Sequence, residues 1–302
     1  MNVTAVYSGF QPLASCHFQG MANILAAQGV RDAETCLGMS WGFSRRPGTA
    51  ALAGANRWMA LINRTHGLRI VRSAFTNWQE ADRHERALAA RGLPFVAEVD
   101  SFDLPSEYFH LNHVPHTVIV LSRNRSGTFV LDPMNGTPVT RYDPSMWQEM
   151  RSHPCVDSCH LYASPQPPSQ HPESTAMLSA FRDDHARHWA SDREVLANFL
   201  ADMDASDLQV DVCRVGAERL QTSRFLDGRG GEIRSFADDF LSLSRRWYLV
   251  HTLAEQSDHR DTRQRARLLR LLRELSEREE SVSGRIMREL ERFGPSELAD
   301  AS

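Results

Sequence analysis

The chain has 302 residues, 34 basic and 38 acidic side chains, and a formal net charge of −4. Ordinary apolar and charged fractions exclude a disordered or fibrous chain, and the mildly acidic balance excludes the basic face that nucleic-acid binding needs. No apolar run approaches the ~20 residues that cross a bilayer. The five cysteines are too few and odd in number for a disulfide framework. With no signal-peptide pattern at the N-terminus, the expectation is a cytoplasmic protein without a membrane partner. Every basic residue is Arg and none is Lys. That removes the phosphate-loop, Schiff-base, Ser–Lys and kinase lysines from consideration.

In chain order, apolar spacing predicts a helix over Cys16–Gln28, stopped by Gly29. A Gly-rich loop spans Gly38–Gly48. Helices follow over Ala50–Thr65 and Gln79–Arg91, the second closed by Gly92. Pro94–Val99 reads as a strand. His116–Leu121 is a β-branched apolar run with the pattern of a buried central strand. Asn124–Gly127 is turn chemistry, so Thr128–Leu131 forms a hairpin with that strand. A last strand lies near Val156–Tyr162, and the Pro-rich stretch 164–172 is a linker. Beyond it the pattern is helical: Ser174–Trp189, Asp192–Asp202, Ile233–Glu255 and Thr262–Phe293. The fold class expected is α+β, with a first domain over 1–163 on an antiparallel sheet and a helical domain over 173–302 packed on it.

Cys16 opens the first helix, where the dipole and free backbone N–H groups favour thiolate. His116 opens the buried strand, and Asp132 follows its partner strand in Leu131-Asp132-Pro133. In an antiparallel hairpin the start of one strand lies beside the end of the other. The expected roles are therefore Cys16 as nucleophile, His116 as base and Asp132 as orienter. His113 is the rival base and Asn135 the rival orienter; Asp100 and Asp103 read as strand-end or loop acids. His110, His113 and His116 recur every third residue, but no HExxH motif or Cys pair accompanies them, so no metal site is expected. His153, Cys155, Cys159 and His160 match no zinc spacing and read as structural. The arginines Arg260, Arg263, Arg267 and Arg270 share one side of the last helix. They form either a solvated face or a dock for an acidic partner.

The order of helix-start Cys, strand-start His and Leu-Asp-Pro resembles the papain-like cysteine-enzyme fold in its bacteriocin-processing branch. More closely, it resembles the family named for the acyltransferase of butirosin biosynthesis. The similarity rests on Cys16-His17 with Ala22–Leu25 and Gly29, on Leu37–Phe43, on Gly92–Phe95 with Val99-Asp100 and Leu104-Pro105, on Pro115–Val120, and on Leu131–Pro133. In the second half it rests on Gly231–Phe236 leading into Phe240-Leu241. The resemblance implies a Cys-His-Asp acyltransferase. It would take an acyl group from the phosphopantetheine thioester of an acyl carrier protein, hold it on Cys16 and pass it to a small-molecule amine. It implies no bound cofactor, the thioester being carried by the substrate protein. Papain-like enzymes place a Gln before the Cys as oxyanion donor. Here the candidate is Gln11, one residue short of the usual spacing. Gly38, Ser40, Trp41 and Gly42 suit a loop shaping a substrate channel, or else a plain connector. A hydrolytic or cyclising enzyme and a non-catalytic binding protein remain the alternatives.

Overall fold

The computed structural model describes residues 16–30, 33–45, 51–55, 57–105, 109–134, 138–156, 159–164, 174–205, 212–257 and 261–292. Gln11, Asn135, Arg260 and the linker residues 165–172 lie outside them. The helices are α1 (Cys16–Ala27), α2 (Trp58–His66), α3 (Trp78–Ala90), α4 (Pro144–Ser152), α5 (Ser174–Ala205), α6 (Cys213–Asp227), α7 (Phe236–Gln256) and α8 (Thr262–Arg292). The strands are β1 (Ser44–Arg45), β2 (Leu52–Ala53), β3 (Arg69–Ala74), β4 (Phe95–Asp100), β5 (Pro115–Asn124), β6 (Gly127–Leu131), β7 (Thr140–Tyr142) and β8 (Cys159–Ser164). The protein is thus mixed α+β with antiparallel sheets, as its periodicities imply.

The chain divides into two compact units. One comprises residues 1–33 and 66–169, the other residues 34–65 and 170–302. This differs from a single cut at the Pro-rich linker, because residues 34–65 cluster with the helical half. The local reading also fails there. Residues Leu52–Ala53 pair with Ser44–Arg45 as a short antiparallel ribbon, and the helix begins only at Trp58.

In the first unit, six strands lie in the order β3-β8-β4-β5-β6-β7, every pair antiparallel. The long central strand β5 is apolar without alternation because both of its faces are covered. Val118 and Val120 join Leu88 of α3 and Trp147 and Met150 of α4 in one core. Ile119 points the other way, and Gly20 of α1 lies against it and against Val96. The β5–β6 turn forms where Asn-Arg-Ser-Gly predicts it, the Asn124 side chain accepting from the Ser126 N–H at 2.8 Å. Asn77 and Asp143 cap α3 and α4 by accepting from the N–H groups of Glu80 and Met146, as short polar side chains do at helix starts.

The second unit is built from α5–α8 together with the segment 34–65. Among the described residues, its main polar centres are Glu279 of α8 and Arg57, the residue just before α2. Glu279, fully buried, accepts from the indole N–H of Trp41 and of Trp247 and from Arg219 Nε, at 2.8, 2.7 and 2.7 Å. Arg57 reaches Asp184, Asp192 and the carbonyl of Trp41. Among the described residues, no helix is long and apolar enough to cross a membrane.

Candidate active site at one end of the sheet

Three strands share an end of the sheet. β4 finishes at Asp100, which pairs with Pro115 at the start of β5, and β6 finishes at Leu131, which pairs with Ile119. Carried one residue further, that pairing sets Asp132 opposite Val118, so Asp132 lies on the same face as His116. His116 Nε2 and Asp132 Oδ1 are 3.1 Å apart. A carboxylate only accepts, so Nε2 is the donor in this pair. Asp132 is buried, and its Oδ1 also accepts from the Met134 N–H at 2.9 Å, a turn that Pro133 favours. The Leu-Asp-Pro motif thereby orients the carboxylate before any imidazole meets it.

Cys16 is the first described residue of α1. Its sulfur faces the hydroxyl and N–H of Thr117 and the N–H of His17. The helix start was expected to lower the thiol's pKa. The structure reverses that expectation. Burial pushes it up, the nearby Asp132 charge adds to the rise, and the hydrogen bonds from Thr117 and His17 offset it only in part. The resting side chain is therefore a thiol. Successive strand residues point to opposite faces, so Cys16, bonded at Thr117, and His116 approach the strand end from two sides. Among the described residues, no hydrogen bond joins Cys16 to His116.

The three regularly spaced histidines do not converge. His110 pairs with Asp103, His113 with Asp100 and His116 with Asp132, at 3.3, 2.5 and 3.1 Å. His113 and Asp100 thus form a second His–Asp pair at the same end of the sheet, made by residues that sequence reading set aside as a rival base and a strand-end acid. His160 belongs elsewhere. It is buried with Glu85 at 2.9 Å, Arg151 at 2.8 Å and His84 at 3.2 Å. Burial alone would raise Glu85. The hydrogen bond from His160 and the charges of Arg151 and Arg123 prevail and hold it at about 2. The side chain of Cys159 lies outside the described residues.

Gly38, Ser40, Trp41 and Gly42 were expected to line a channel or merely connect. They do neither. All four are buried inside the helical unit. Ser40 donates to Glu218 at 3.0 Å, Trp41 to Glu279 at 2.8 Å, and the Gly42 carbonyl accepts from Arg219 at 3.1 Å. A Cβ at Gly38 would stand 2.0 Å from the Gln221 carbonyl oxygen, and one at Gly42 2.2 Å from Asp192. The segment is a buried strap, and its glycines exist for close approach. On α8, Arg263, Arg267 and Arg270 are exposed, as the charge pattern implied.

Sequence reading missed Gln19. It lies one turn after Cys16 in α1 and is 3% exposed; among the described residues its amide nitrogen and oxygen have no hydrogen-bond partner. Unsatisfied buried amides are rare and costly, so the position is informative. Its only sequence signal was a polar residue on an otherwise apolar helix face. Compared with protein-family models and with curated proteins, the chain matches none.

Proposed function

We propose that the protein is a papain-like cysteine acyltransferase that moves an acyl group from a carrier-protein phosphopantetheine thioester, through Cys16, to an amine. The observation that carries this reading is the His116–Asp132 pair, with Cys16 hydrogen-bonded to the very next residue, Thr117. The helix bearing Cys16 lies on one face of an antiparallel sheet whose strand ends supply the other two groups.

The proton inventory suits base-assisted attack. Cys16 rests as a thiol, and Asp132 fixes the His116 ring through Nε2, which leaves Nδ1 as the nitrogen to receive a proton. The Cys16 proton passes to His116 as sulfur attacks the thioester carbonyl. The carbon–sulfur bond to pantetheine then breaks, and the leaving thiolate takes that proton. In the second half-reaction the amine attacks the acyl-Cys16 carbonyl, its proton goes to His116, and Cys16 leaves as the regenerated thiol. The tetrahedral oxyanion needs donors. Helical side chains lean over the preceding turn, here the one Cys16 opens, and the Gln19 amide has no hydrogen-bond partner among the described residues. Gln19 is the described residue that fits this role.

The test is intact-protein mass spectrometry after incubation with an acyl carrier protein loaded with a short acyl chain. One acyl adduct is expected, absent from Cys16→Ala. An adduct that persists in that variant overturns the reading. Release as free acid in the presence of amines assigns the hydrolytic alternative instead.

A further inference from the structure

The second His–Asp pair has a third member. His153, which follows α4, places Nδ1 3.7 Å from Asp100 Oδ2, the same oxygen that meets His113 Nδ1 at 2.5 Å. The three ligand atoms lie within 4.8 Å of one another. They come from the end of β4, the approach to β5 and the end of α4, so the fold alone assembles them. Asp100 is 5% exposed, and its other oxygen is held by the Phe102 N–H at 3.2 Å. Oδ2 is thereby left aimed at the two imidazoles. Phe102, His113 and His153 form a ring stack, with centroids 4.5 and 4.3 Å apart and planes within 11° and 7° of parallel.

We propose that Asp100, His113 and His153 bind a divalent transition-metal ion of the zinc class. Two imidazoles and a carboxylate are the donor set of three-ligand zinc sites. Imidazole donors exclude calcium and magnesium, which take oxygen cages. In a tetrahedral site with bonds of ~2.0–2.1 Å, neighbouring donor atoms stand about 3.3 Å apart. The observed separations of 2.5 and 3.7 Å straddle that value. Metal entry must displace the proton that His113 shares with Asp100 and tilt both rings out of the parallel stack. The His113 and His153 side chains are 50% and 31% exposed, so both have room to turn. His153 Nδ1 accepts from the Cys155 N–H at 3.3 Å and meets its Sγ at 3.1 Å, so metal entry must also displace those contacts, and the fourth position falls to water or to the Cys155 sulfur.

This proposal does not rest on the acyl-transfer reading, and its readout is metal content. Full-length protein stripped with chelator, then dialysed against zinc, should hold one equivalent by elemental analysis. Cobalt(II) should give the visible absorption of a low-coordinate site. Second-shell changes typically cost 10–100-fold in affinity, so His113→Ala and His153→Ala should each weaken zinc by ~100-fold or more. Their unchanged circular dichroism would show that they still fold. His116→Ala and Cys16→Ala should retain the equivalent of zinc. A wild-type protein that takes up none overturns the proposal, as does zinc that survives both His113→Ala and His153→Ala. Zinc lost instead with Cys16→Ala or His116→Ala places the metal elsewhere and overturns it too.

Discussion

Asp132 meets His116 through a 3.1 Å contact although sixteen residues separate them, because the β5–β6 hairpin folds one strand's start beside the other's end. The same carboxylate raises the Cys16 thiol through its charge. One acid therefore bears on both of the groups proposed to exchange a proton.

Removing that charge should separate its two effects. Asp132→Asn is expected to move the Cys16 ionisation down, since less negative charge opposes the thiolate. It should also slow self-acylation, because His116 loses its orienting acceptor. The rate of alkylation of Cys16 against pH gives the first, and acyl-adduct formation gives the second. His116→Ala should cost ~10²–10⁴ in adduct formation. An Asp132→Asn protein whose alkylation profile rises in pH is incompatible with the geometry.

Gln19 links stability to function. Replacing its unpaired amide by Leu removes a buried unsatisfied group worth about 1–3 kcal/mol. Gln19→Leu should raise the unfolding free energy in urea while lowering the acylation rate by roughly 10²-fold, the usual effect of losing an oxyanion donor. A stabilised variant that acylates at the wild-type rate would remove Gln19 from the site.

Acid should weaken the two units through different groups. Glu85 stays ionised down to about 2, against an ordinary 4.5. Its contribution, about 3 kcal/mol, is complete above pH 4.5. It drains away as the unfolded chain alone takes up the proton between pH 4.5 and 2. His185 is stacked on Trp41, and burial first, then the Arg219 and Arg57 charges, push it down to about 3 from 6.5. The unfolded chain binds a proton through that window while the folded one does not. Stability should therefore begin to fall already below pH 6.5, by on the order of 5 kcal/mol in all. His185→Phe should remove this upper part of the loss in urea melts run from about pH 7 to about pH 4. An unchanged slope would contradict a neutral buried imidazole.

The strap at Gly38–Gly42 predicts damage to stability rather than to substrate choice. In Gly38→Ala the new methyl would meet the Gln221 backbone oxygen, which cannot swing aside as a side chain could. Overpacking of this kind typically costs ~1–3 kcal/mol, occasionally more. The variant should melt earlier by several degrees in calorimetry. If it keeps its melting temperature but changes its acyl preference, the channel reading returns.

Some elements were legible because local chemistry alone specifies them. The β5–β6 hairpin follows from its Asn-Arg-Ser-Gly turn, and β5 announced two covered faces by its unbroken apolar run. Others left no local trace. Helix α6 was missed because its buried residues include Glu218, Arg219, Gln221, Thr222 and Ser223, which erase the 3.6-residue apolar pattern. Glu218, Arg219 and Thr222 find partners there because Ser40 and Gly42 come from far along the chain to bond them. Helix α5 runs unbroken over Ser174–Ala205, where Asp192, read as a helix start, instead turns inward to Arg57.

The site divides in the same way. Sequence by itself determined which strand ends carry His116 and Asp132, since a hairpin register is local and period-two alternation then sets the face. Tertiary structure decided what no spacing encodes. Packing of α1 on the sheet buries the Cys16 thiol and raises its pKa, overriding the helix-start effect, because desolvation outweighs a few hydrogen bonds. The meeting of Asp100, His113 and His153 joins three segments whose separation in the chain follows no motif. Residues 34–65 join the helical unit for the same reason: the buried carboxylates of Glu279, Asp184 and Asp192 require distant donors, and only the folded chain can bring Trp41 and Arg57 to them.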